Sequence, residues 1–366
     1  MKITAAILWD QGKPISVECA ELDPPGAGEV LVEMKAAGVC HSDFHPARGD
    51  WPIKTPVVLG HEGAGIVLEV GSGVTSVHVG DHVVLCWAPP CGVCECCRDG
   101  HAALCDRLER TAYRNRLPSG ASRLYARGQP VSPFLSTACF ASHAVVAAEG
   151  AVPVPRDVPF DALATLGCAV VTGVGAVRNA ARLAAGSRVA VIGTGGVGLN
   201  VIQGAALAGA ERIIAVDVRP APLILARQFG ATDTIESAAG VPDAIRNLTN
   251  GRGADVVFDT VGLPGTIADA LNAARKGGLV VLTGLARIDG HASIATFPFV
   301  MQEKRLIGSV YGSGDPARDI VALVHAYREG RLKLLELVTR RYRLADIDTA
   351  LTALGCAEGA RGIIEW

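Results

Sequence analysis

The sequence predicts an α/β protein of two domains, a barrel-like β domain and a parallel sheet with helices on both faces. Its 366 residues exceed what one hydrophobic core usually supports. Short strands separated by Gly, Pro and Asp fill the first third of the chain, a pattern typical of β barrels. From Ser187 onward, continuous apolar strands alternate with helical patterns, which indicates a parallel sheet covered on both faces.

The first domain is predicted from three β-type segments, 30–34, 64–70 and 79–85, each bounded by turn residues. The segment 106–140 is polar and irregular, and we interpret it as a solvated surface loop. Because it is longer than the roughly 12–15 residues of an ordinary loop, a role at a pocket rim or an interface is the alternative.

The second domain is predicted to span residues 170–311, with residues 1–169 and 312–366 forming the first. Its predicted strands are 188–192, 212–216, 255–258 and 279–283, and a helix follows the first of them through Leu207. The tail has an amphipathic helix at 320–329 and a short strand at 362–364. We expect this tail to return to the first domain.

The composition excludes several functional classes. The formal net charge is -2 and no basic block is present, so nothing indicates binding to nucleic acid or an anionic membrane. The N-terminus has no signal-peptide pattern, and the apolar runs are too short for a membrane span. Hydrophobic residues make up 49% and the mean hydropathy is +0.32, which indicates a large buried core. Eleven cysteines in such a chain favour metal binding and the cytoplasm over disulfides.

The clearest metal motif is a loop of closely spaced thiols. The spacing Cys91-x2-Cys94-x2-Cys97-x7-Cys105 supplies four ligands and leaves no open position, as in structural zinc sites. Free buried cysteines and an iron–sulfur cluster are the alternatives. Cys96 breaks the spacing, so we interpret it as a non-ligand.

A second motif, Gly193-Thr194-Gly195-Gly196-Val197-Gly198, connects a predicted strand to a helix. The first glycine permits the tight turn, the second lets the backbone approach a pyrophosphate, and the third permits close helix–strand packing. The helix N-terminus offers free N–H groups to the phosphates. Asp217 stands at the end of the next strand, where we expect its carboxylate to accept hydrogen bonds from a ribose and to favour NAD over NADP. Arg219, close by, weakens the expected preference for NAD.

A third constellation places Cys40 and His61 in glycine-flanked segments with Asp43 and Glu62 beside them. Thiolate and imidazole are preferred zinc ligands, and a catalytic site needs a third protein ligand. The candidates are Cys19, Cys86, Cys139, Cys168 and Cys356. Cys168 is favoured because Gly167-Cys168 stands just before the second domain, where we expect a cleft.

In order along the chain, 38–43, the glycine-rich 60–74, the four-cysteine loop and 193–198 resemble the zinc-dependent medium-chain alcohol dehydrogenases. The resemblance covers essentially the whole chain. It implies a GroES-like β domain, a Rossmann domain, and an active site in the cleft between them. It also implies a catalytic zinc on Cys40, His61 and Cys168, with Glu62 as an occasional ligand and Asp43 hydrogen-bonded to His61.

The resemblance further implies hydride transfer from a zinc-bound alkoxide to NAD. Ser42 matches the first proton acceptor, and His45 matches the residue that passes the proton to solvent. His41 and Arg361 match residues that face the pyrophosphate. The complete set of predicted cofactor contacts is His41, Thr172, Gly193, Gly195, Gly196, Val197, Gly198, Asp217, Arg219 and Arg361.

Departures from the family pattern bear on the substrate. Glu109 and Trp51 replace an arginine and an acid of the glutathione-dependent formaldehyde branch, and Pro222 replaces a lysine near the adenosine ribose. The implied pocket walls, which favour an apolar, aromatic or allylic primary alcohol, are Trp51, Trp87, Phe134, Leu285 and Val310. The retained 106–140 segment resembles dimer-forming members, so we expect a homodimer.

We therefore expect a reversible, NAD-linked alcohol dehydrogenase with two zinc ions per chain and a small-molecule alcohol or aldehyde as substrate. A thiol-adduct formaldehyde dehydrogenase is the alternative enzyme. A non-enzymatic redox-sensing or zinc-storage protein and a structural protein of the lens type are further alternatives. The filled ligand positions disfavour the structural role.

Overall fold

The structure is a computed structural model that describes residues 1–356 and 359–366. It contains two compact units, one formed by Met1–Cys168 with Asp315–Trp366 and the other by Ala169–Gly314. The C-terminal tail therefore packs with the N-terminal unit. Each unit has its own apolar core, with Met34, Leu59 and Phe140 fully buried in the first and Phe258 in the second.

The strands are β1 (Lys2–Leu8), β2 (Ser16–Leu22), β3 (Glu29–Val39), β4 (Val57–Val58), β5 (Glu62–Val70), β6 (His82–Leu85), β7 (Leu124–Ala126), β8 (Gln129–Pro133), β9 (His143–Ala147), β10 (Ala151–Val154), β11 (Arg188–Ile192), β12 (Arg212–Asp217), β13 (Asp233–Glu236), β14 (Ala254–Asp259), β15 (Ala274–Leu282), β16 (Arg305–Gly308), β17 (Val338–Arg343) and β18 (Arg361–Glu365).

The helices are α1 (His41–Arg48), α2 (Glu95–Arg98), α3 (Phe160–Thr165), α4 (Val171–Gly175), α5 (Gly196–Leu207), α6 (Pro220–Gln228), α7 (Val241–Leu248), α8 (Pro264–Ala273), α9 (Thr296–Met301), α10 (Pro316–Arg328) and α11 (Ile347–Gly355). Short 3-10 turns occupy the end of the four-cysteine loop, at Ala102–Leu104, and the segment after it, at Asp106–Arg110 and Ala112–Arg114.

A closed five-stranded barrel in the first unit confirms the predicted barrel-like domain. Its strand order is β1-β2-β7-β8-β4, and β4 pairs with β1 to close it. Strands β7 and β8 lie within 106–140, so the interpretation of that whole segment as a solvated loop was wrong. The three residues of β7 are too few to show an alternation of apolar and polar side chains, and β8 buries one side chain, that of Val131.

The second sheet of this unit has the order β10-β6-β5-β3-β18-β17, and β9 also pairs with β3. Its register brings three distant segments together. Gly38 of β3 lies opposite Glu62 of β5, and Val39 lies opposite Gly362 of β18. The end of β3, the start of β5 and the C-terminal strand therefore meet at one place. The predicted strand at 79–85 is shorter than expected and begins at His82.

The second unit is a six-stranded sheet with the order β13-β12-β11-β14-β15-β16, in which every neighbouring pair is parallel. Numbered within the unit, this order is 3-2-1-4-5-6, that of Rossmann folds. The prediction of a doubly wound parallel sheet is therefore confirmed. The sequence patterns missed β13 and β16, because both are edge strands of four half-buried or exposed residues.

One helical stretch, Phe160–Ala180, is long and apolar enough to cross a membrane by length and composition alone. Within its most apolar window, 83% of the residues are buried inside the protein, as in the core helices of globular domains. The stretch includes two π-helical turns, Leu166–Val170 and Ala176–Ala180. Turns of this type widen a helix locally and occur frequently at functional sites.

Candidate active site and metal centres

The side chains of Cys40, His61, Glu62 and Cys168 converge, and their potential ligand atoms all lie within 4.8 Å of one another. Cys40 follows β3 and precedes α1, and His61 immediately precedes β5. Cys168 lies in the π-helical turn Leu166–Val170. The register of the sheet brings the first two together, and the widened helical turn presents the third.

The buried carboxylate of Asp43 connects the two ligand-bearing segments. Oδ2 accepts a hydrogen bond from the backbone N–H of Cys40 at 3.1 Å, and Oδ1 accepts one from the backbone N–H of Gly60 at 2.9 Å. Oδ1 also lies 3.0 Å from Nδ1 of His61. Asp43 therefore fixes the backbone next to one ligand and the ring of the other. Such a partner also sets the tautomer of a metal-binding histidine.

Whether these residues fit a metal can be judged from Nε2 of His61, the ring nitrogen that does not contact Asp43. Nε2 is buried and has no hydrogen-bond partner among the residues that the structure describes, although buried polar atoms are rarely left unsatisfied. When the ring is neutral and Nδ1 donates to Asp43, Nε2 is the nitrogen that carries a lone pair. Two thiols and an imidazole nitrogen are the donors that zinc prefers. The residues fit a zinc ion.

The thiol and imidazole groups influence one another strongly. A hydrogen bond from Cys168 holds the pKa of Cys40 well below its usual range, despite burial. The same bond, together with burial, raises the pKa of Cys168. Burial by itself lowers the pKa of His61, but the charge and hydrogen bond of Asp43 outweigh it and raise that pKa. A bound cation favours the deprotonated forms of all three, so metal binding releases protons.

Glu62 and Arg361 form a buried pair beside these ligands. A guanidinium nitrogen lies 3.4 Å from Oε1 of Glu62, and another donates to the carbonyl of Val39 at 2.9 Å. A Cβ on Gly38 would come within 2.0 Å of the Glu62 carboxylate, so only glycine leaves room for it. Burial raises the pKa of Glu62 to about 8, although Arg361 opposes the rise.

The four-cysteine loop gathers the predicted thiols of Cys91, Cys94, Cys97 and Cys105 within 4.8 Å of one another. Backbone N–H groups point at two of the sulfurs: that of Cys94 at Cys91 and that of Cys91 at Cys105, both at 3.3 Å. Such donors favour thiolates. The thiol of Cys96 lies outside the cluster and donates to Asp106 at 3.4 Å. This is the arrangement expected for a closed zinc site.

The glycine turn of the second unit connects β11 to α5. Gly193 has a φ of +87°, and a Cβ on Gly198 would come within 1.9 Å of the Gly193 carbonyl oxygen. The helix α5 begins at Gly196, so its free N–H groups lie at the carboxyl end of the sheet, where anions bind in such folds. Asp217 ends β12 at the same edge, and its Oδ2 accepts hydrogen bonds from Thr194.

Two family models match this chain: an alcohol dehydrogenase GroES-like domain over residues 26–156 and a zinc-binding dehydrogenase domain over residues 196–326. The chain belongs to the zinc-dependent medium-chain alcohol dehydrogenases. It is 38% identical to the NDMA-dependent alcohol dehydrogenase of Amycolatopsis methanolica, over 100% of this chain and 99% of that protein. Zinc and NAD are the cofactors of this alcohol dehydrogenase.

Two further relatives are named for other activities. The S-(hydroxymethyl)glutathione dehydrogenase of Synechocystis is 37% identical over the whole of both chains. The crystal structure of benzyl alcohol dehydrogenase from Acinetobacter calcoaceticus superimposes with a TM-score of 0.94 and 31% identity, covering 100% of this chain and 99% of that one.

The residues predicted for proton transfer in this alcohol dehydrogenase lie on or beside α1. His41 and Ser42 form its first turn, and His45 follows one turn later. Nδ1 of His45 is 3.2 Å from Oδ2 of Asp50, and its ring stacks on Trp51 with 4.8 Å between centroids. The contact with Asp50 was not predicted, because five residues separate the two and a helix C-cap intervenes.

The predicted pocket residues fall into two groups. In the first unit, the ring of Phe134 meets that of His61 edge to face at 5.9 Å, and Trp87 lies 6.2 Å from Tyr113. Leu285 and Val310 belong to the second unit, as does the predicted cofactor residue Thr172. Leu285 is exposed within the described structure.

Arg361 is buried against Glu62 and Val39. The contact with pyrophosphate that the resemblance implies for this residue stays a prediction. One signal for this pair was present in the sequence, a strand pattern at 362–364 that placed Arg361 just before a strand. Its partner was not predictable, because the pairing of the C-terminal strand with β3 depends on long-range contacts.

Replacing Cys97 with serine is expected to remove one of two zinc ions per chain, because serine is a poor zinc ligand and Cys96, the other thiol of the loop, lies outside the cluster and contacts Asp106. Elemental analysis of the purified protein measures the stoichiometry. Cys96→Ser is the matched control one residue away, and it should retain two ions. Loss of zinc from Cys96→Ser, or two ions in Cys97→Ser, would contradict the assigned ligands. Iron in the wild type would favour an iron–sulfur cluster.

Asp43→Asn is expected to lower zinc affinity at the Cys40–His61–Cys168 centre by roughly 10–100-fold, the usual effect of losing such a supporting carboxylate. Competition with a chromogenic chelator measures the affinity. Asp23→Asn, at an exposed position of the same unit, serves as the control. An Asp43→Asn protein that keeps wild-type affinity at this centre would refute the supporting role.

Proposed function

We propose that this alcohol dehydrogenase oxidises aromatic or allylic primary alcohols to the corresponding aldehydes. The reaction is reversible and uses NAD. The observation that carries the proposal is the donor set of the buried Cys40 and His61 and the half-buried Cys168, in which Nε2 of His61 has no hydrogen-bond partner among the described residues. Three protein ligands leave a fourth position open for a substrate oxygen. Zinc, when bound, polarises that oxygen and lowers its pKa, and NAD accepts the hydride.

In this proposal the side chains near the metal have separate tasks. Asp43 holds the ring of His61 in one tautomer through the 3.0 Å contact with Nδ1. Ser42, the residue after Cys40, accepts the hydroxyl proton of the alcohol. His45 carries the proton toward solvent, and its contact with Asp50 at 3.2 Å orients Nδ1 so that Nε2 serves as the acceptor. Glu62, held by Arg361, stands beside the ligands.

Aromatic side chains support the choice of substrate. Phe134 packs against the ligand His61, and Trp51 stacks on His45. Flat apolar surfaces of this kind favour aromatic and allylic groups through area burial and ring contacts. The similarity to a benzyl alcohol dehydrogenase agrees with this preference.

A thiol-adduct formaldehyde dehydrogenase is the second candidate, because a relative named S-(hydroxymethyl)glutathione dehydrogenase is 37% identical. The adduct of glutathione is anionic. Glu109 is exposed on the 3-10 turn Asp106–Arg110 at the position where that branch carries an arginine, and a carboxylate there repels an anion. Trp51 also occupies the position of an acid in that branch. These residues favour the apolar alcohol.

We also propose that this dehydrogenase works as a homodimer through its second unit. In the described structure α9 has no buried residue, and the side chains of Phe297, Val300 and Met301 are 76%, 69% and 66% exposed. Next to it in sequence, β16 forms an edge of the sheet. Exposed apolar helices and open sheet edges are unusual on monomers. A second copy of the same surface would cover both.

His61→Ala is expected to abolish oxidation of benzyl alcohol while the binding of NADH persists, because the nucleotide turn lies in the other unit. Steady-state rates and a fluorescence titration with NADH measure the two effects. His78→Ala, an exposed histidine of the same unit, is the control and should keep wild-type rates. Full turnover by a zinc-free His61→Ala protein would refute the proposed chemistry.

Higher kcat/KM for hydroxymethylglutathione than for benzyl alcohol in the wild type would favour the second candidate.

The double variant Phe297→Glu/Val300→Glu is expected to halve the solution mass, because charges at these positions would be buried unpaired in the proposed dimer. Size-exclusion chromatography with light scattering measures the mass. Val79→Glu, 61% exposed in the first unit, should leave the dimer intact. A monomeric wild type, or an unchanged dimer in the double variant, would refute this interface.

A further inference from the structure

Thr194, the second residue of the glycine turn, binds the carboxylate of Asp217 through two donors. Its backbone N–H lies 3.0 Å and its hydroxyl 2.9 Å from Oδ2. Thr194 is 1% exposed, so both bonds form away from water. Hydrogen bonds to a charged acceptor are stronger than those between neutral groups. The turn therefore holds one oxygen of Asp217 in a fixed place.

The other oxygen of Asp217 lies beside Arg219. The backbone N–H of Arg219 is 3.2 Å from Oδ1, and its guanidinium Nε is 3.8 Å from the same atom. An ionised carboxylate has about four acceptor positions. Thr194 occupies two of them on Oδ2, and the N–H of Arg219 occupies one on Oδ1. The remaining position for a ribose hydroxyl is therefore on Oδ1, next to a guanidinium.

Asp217 and Arg219 favour different nucleotides. A carboxylate at the end of the second strand accepts a bond from the ribose of NAD and repels a 2′-phosphate. A guanidinium binds phosphate with paired N–H groups, and the side chain of Arg219 is 38% exposed. The preference between NAD and NADP therefore depends on the orientation of the Asp217 carboxylate, which can stay directed at the ribose or rotate onto the guanidinium of Arg219.

We propose that Thr194 determines nucleotide specificity by holding Oδ2 of Asp217, which keeps the carboxylate directed at the ribose and prevents it from pairing fully with Arg219. This inference rests on the NAD dependence proposed above and adds the residue that enforces it. Thr194 acts through Asp217, so it is a positioning residue for nucleotide recognition.

Thr194→Val tests the proposal, because it removes the hydroxyl, keeps the backbone N–H bond and nearly preserves the volume. Fluorescence titrations give dissociation constants for NADH and NADPH without any alcohol present. We expect the preference for NADH to fall about tenfold, through weaker NADH binding with NADPH binding unchanged or tighter. Thr194→Ser restores a hydroxyl and should keep the preference within about twofold of the wild type.

Controls separate this role from a structural one. A distorted turn would weaken both nucleotides equally, because they share the pyrophosphate, so equal weakening or an unchanged preference overturns the proposal. Thr234→Val, whose hydroxyl accepts from Arg227 in the same unit, should leave both constants unchanged. In an Asp217→Ala background, Thr194→Val should cause no further change in preference. A wild type that prefers NADPH would instead contradict the NAD dependence itself.

Discussion

The buried carboxylate of Asp43 is the constraint on which the metal centre depends. It is fully buried and hydrogen-bonded at once to the backbone of Cys40, the backbone of Gly60 and the ring of His61. A buried carboxyl group is tolerated only when its oxygens have hydrogen-bond partners. Any conformation in which the oxygens of Asp43 keep these three hydrogen-bond partners also sets the distance between the two ligand segments. The same three bonds therefore stabilise the fold and position the metal ligands.

In the second unit, the carboxylate of Asp217 is likewise held in place by hydrogen bonds from protein groups. There the donors come from the glycine turn and from Arg219, and the carboxylate keeps part of its accepting capacity for a ligand. Both oxygens of Asp43 are bonded to protein groups, whereas Asp217 keeps one acceptor position on Oδ1 for a ligand. The difference follows from burial, because Asp43 lies inside a sheet and helix junction and Asp217 lies at the rim of a sheet.

The register of β3 connects the catalytic ligands to the C-terminus. Gly38 faces Glu62 and Val39 faces Gly362, so Arg361 enters the site although more than three hundred residues separate it from Cys40. Glycine at position 38 leaves space for the Glu62 carboxylate. The acidic and basic side chains then partly neutralise each other in a place that water does not reach, next to a cluster of thiols.

The sequence by itself determined the parallel sheet, the glycine turn and the four-cysteine donor set, because these depend on local spacing: Cys91 to Cys105 within one loop, and Gly193 to Gly198 between a strand and a helix. For the pair Cys40 and His61, spacing alone left the third ligand open. Only the tertiary structure decided which residues meet across the chain. It placed Cys168 in a π-helical turn beside Cys40, paired Arg361 with Glu62, and put two barrel strands into a segment that looked irregular. The physical reason is that strand register and buried charge pairing are set by packing between distant segments, and neither leaves a periodic trace in the sequence.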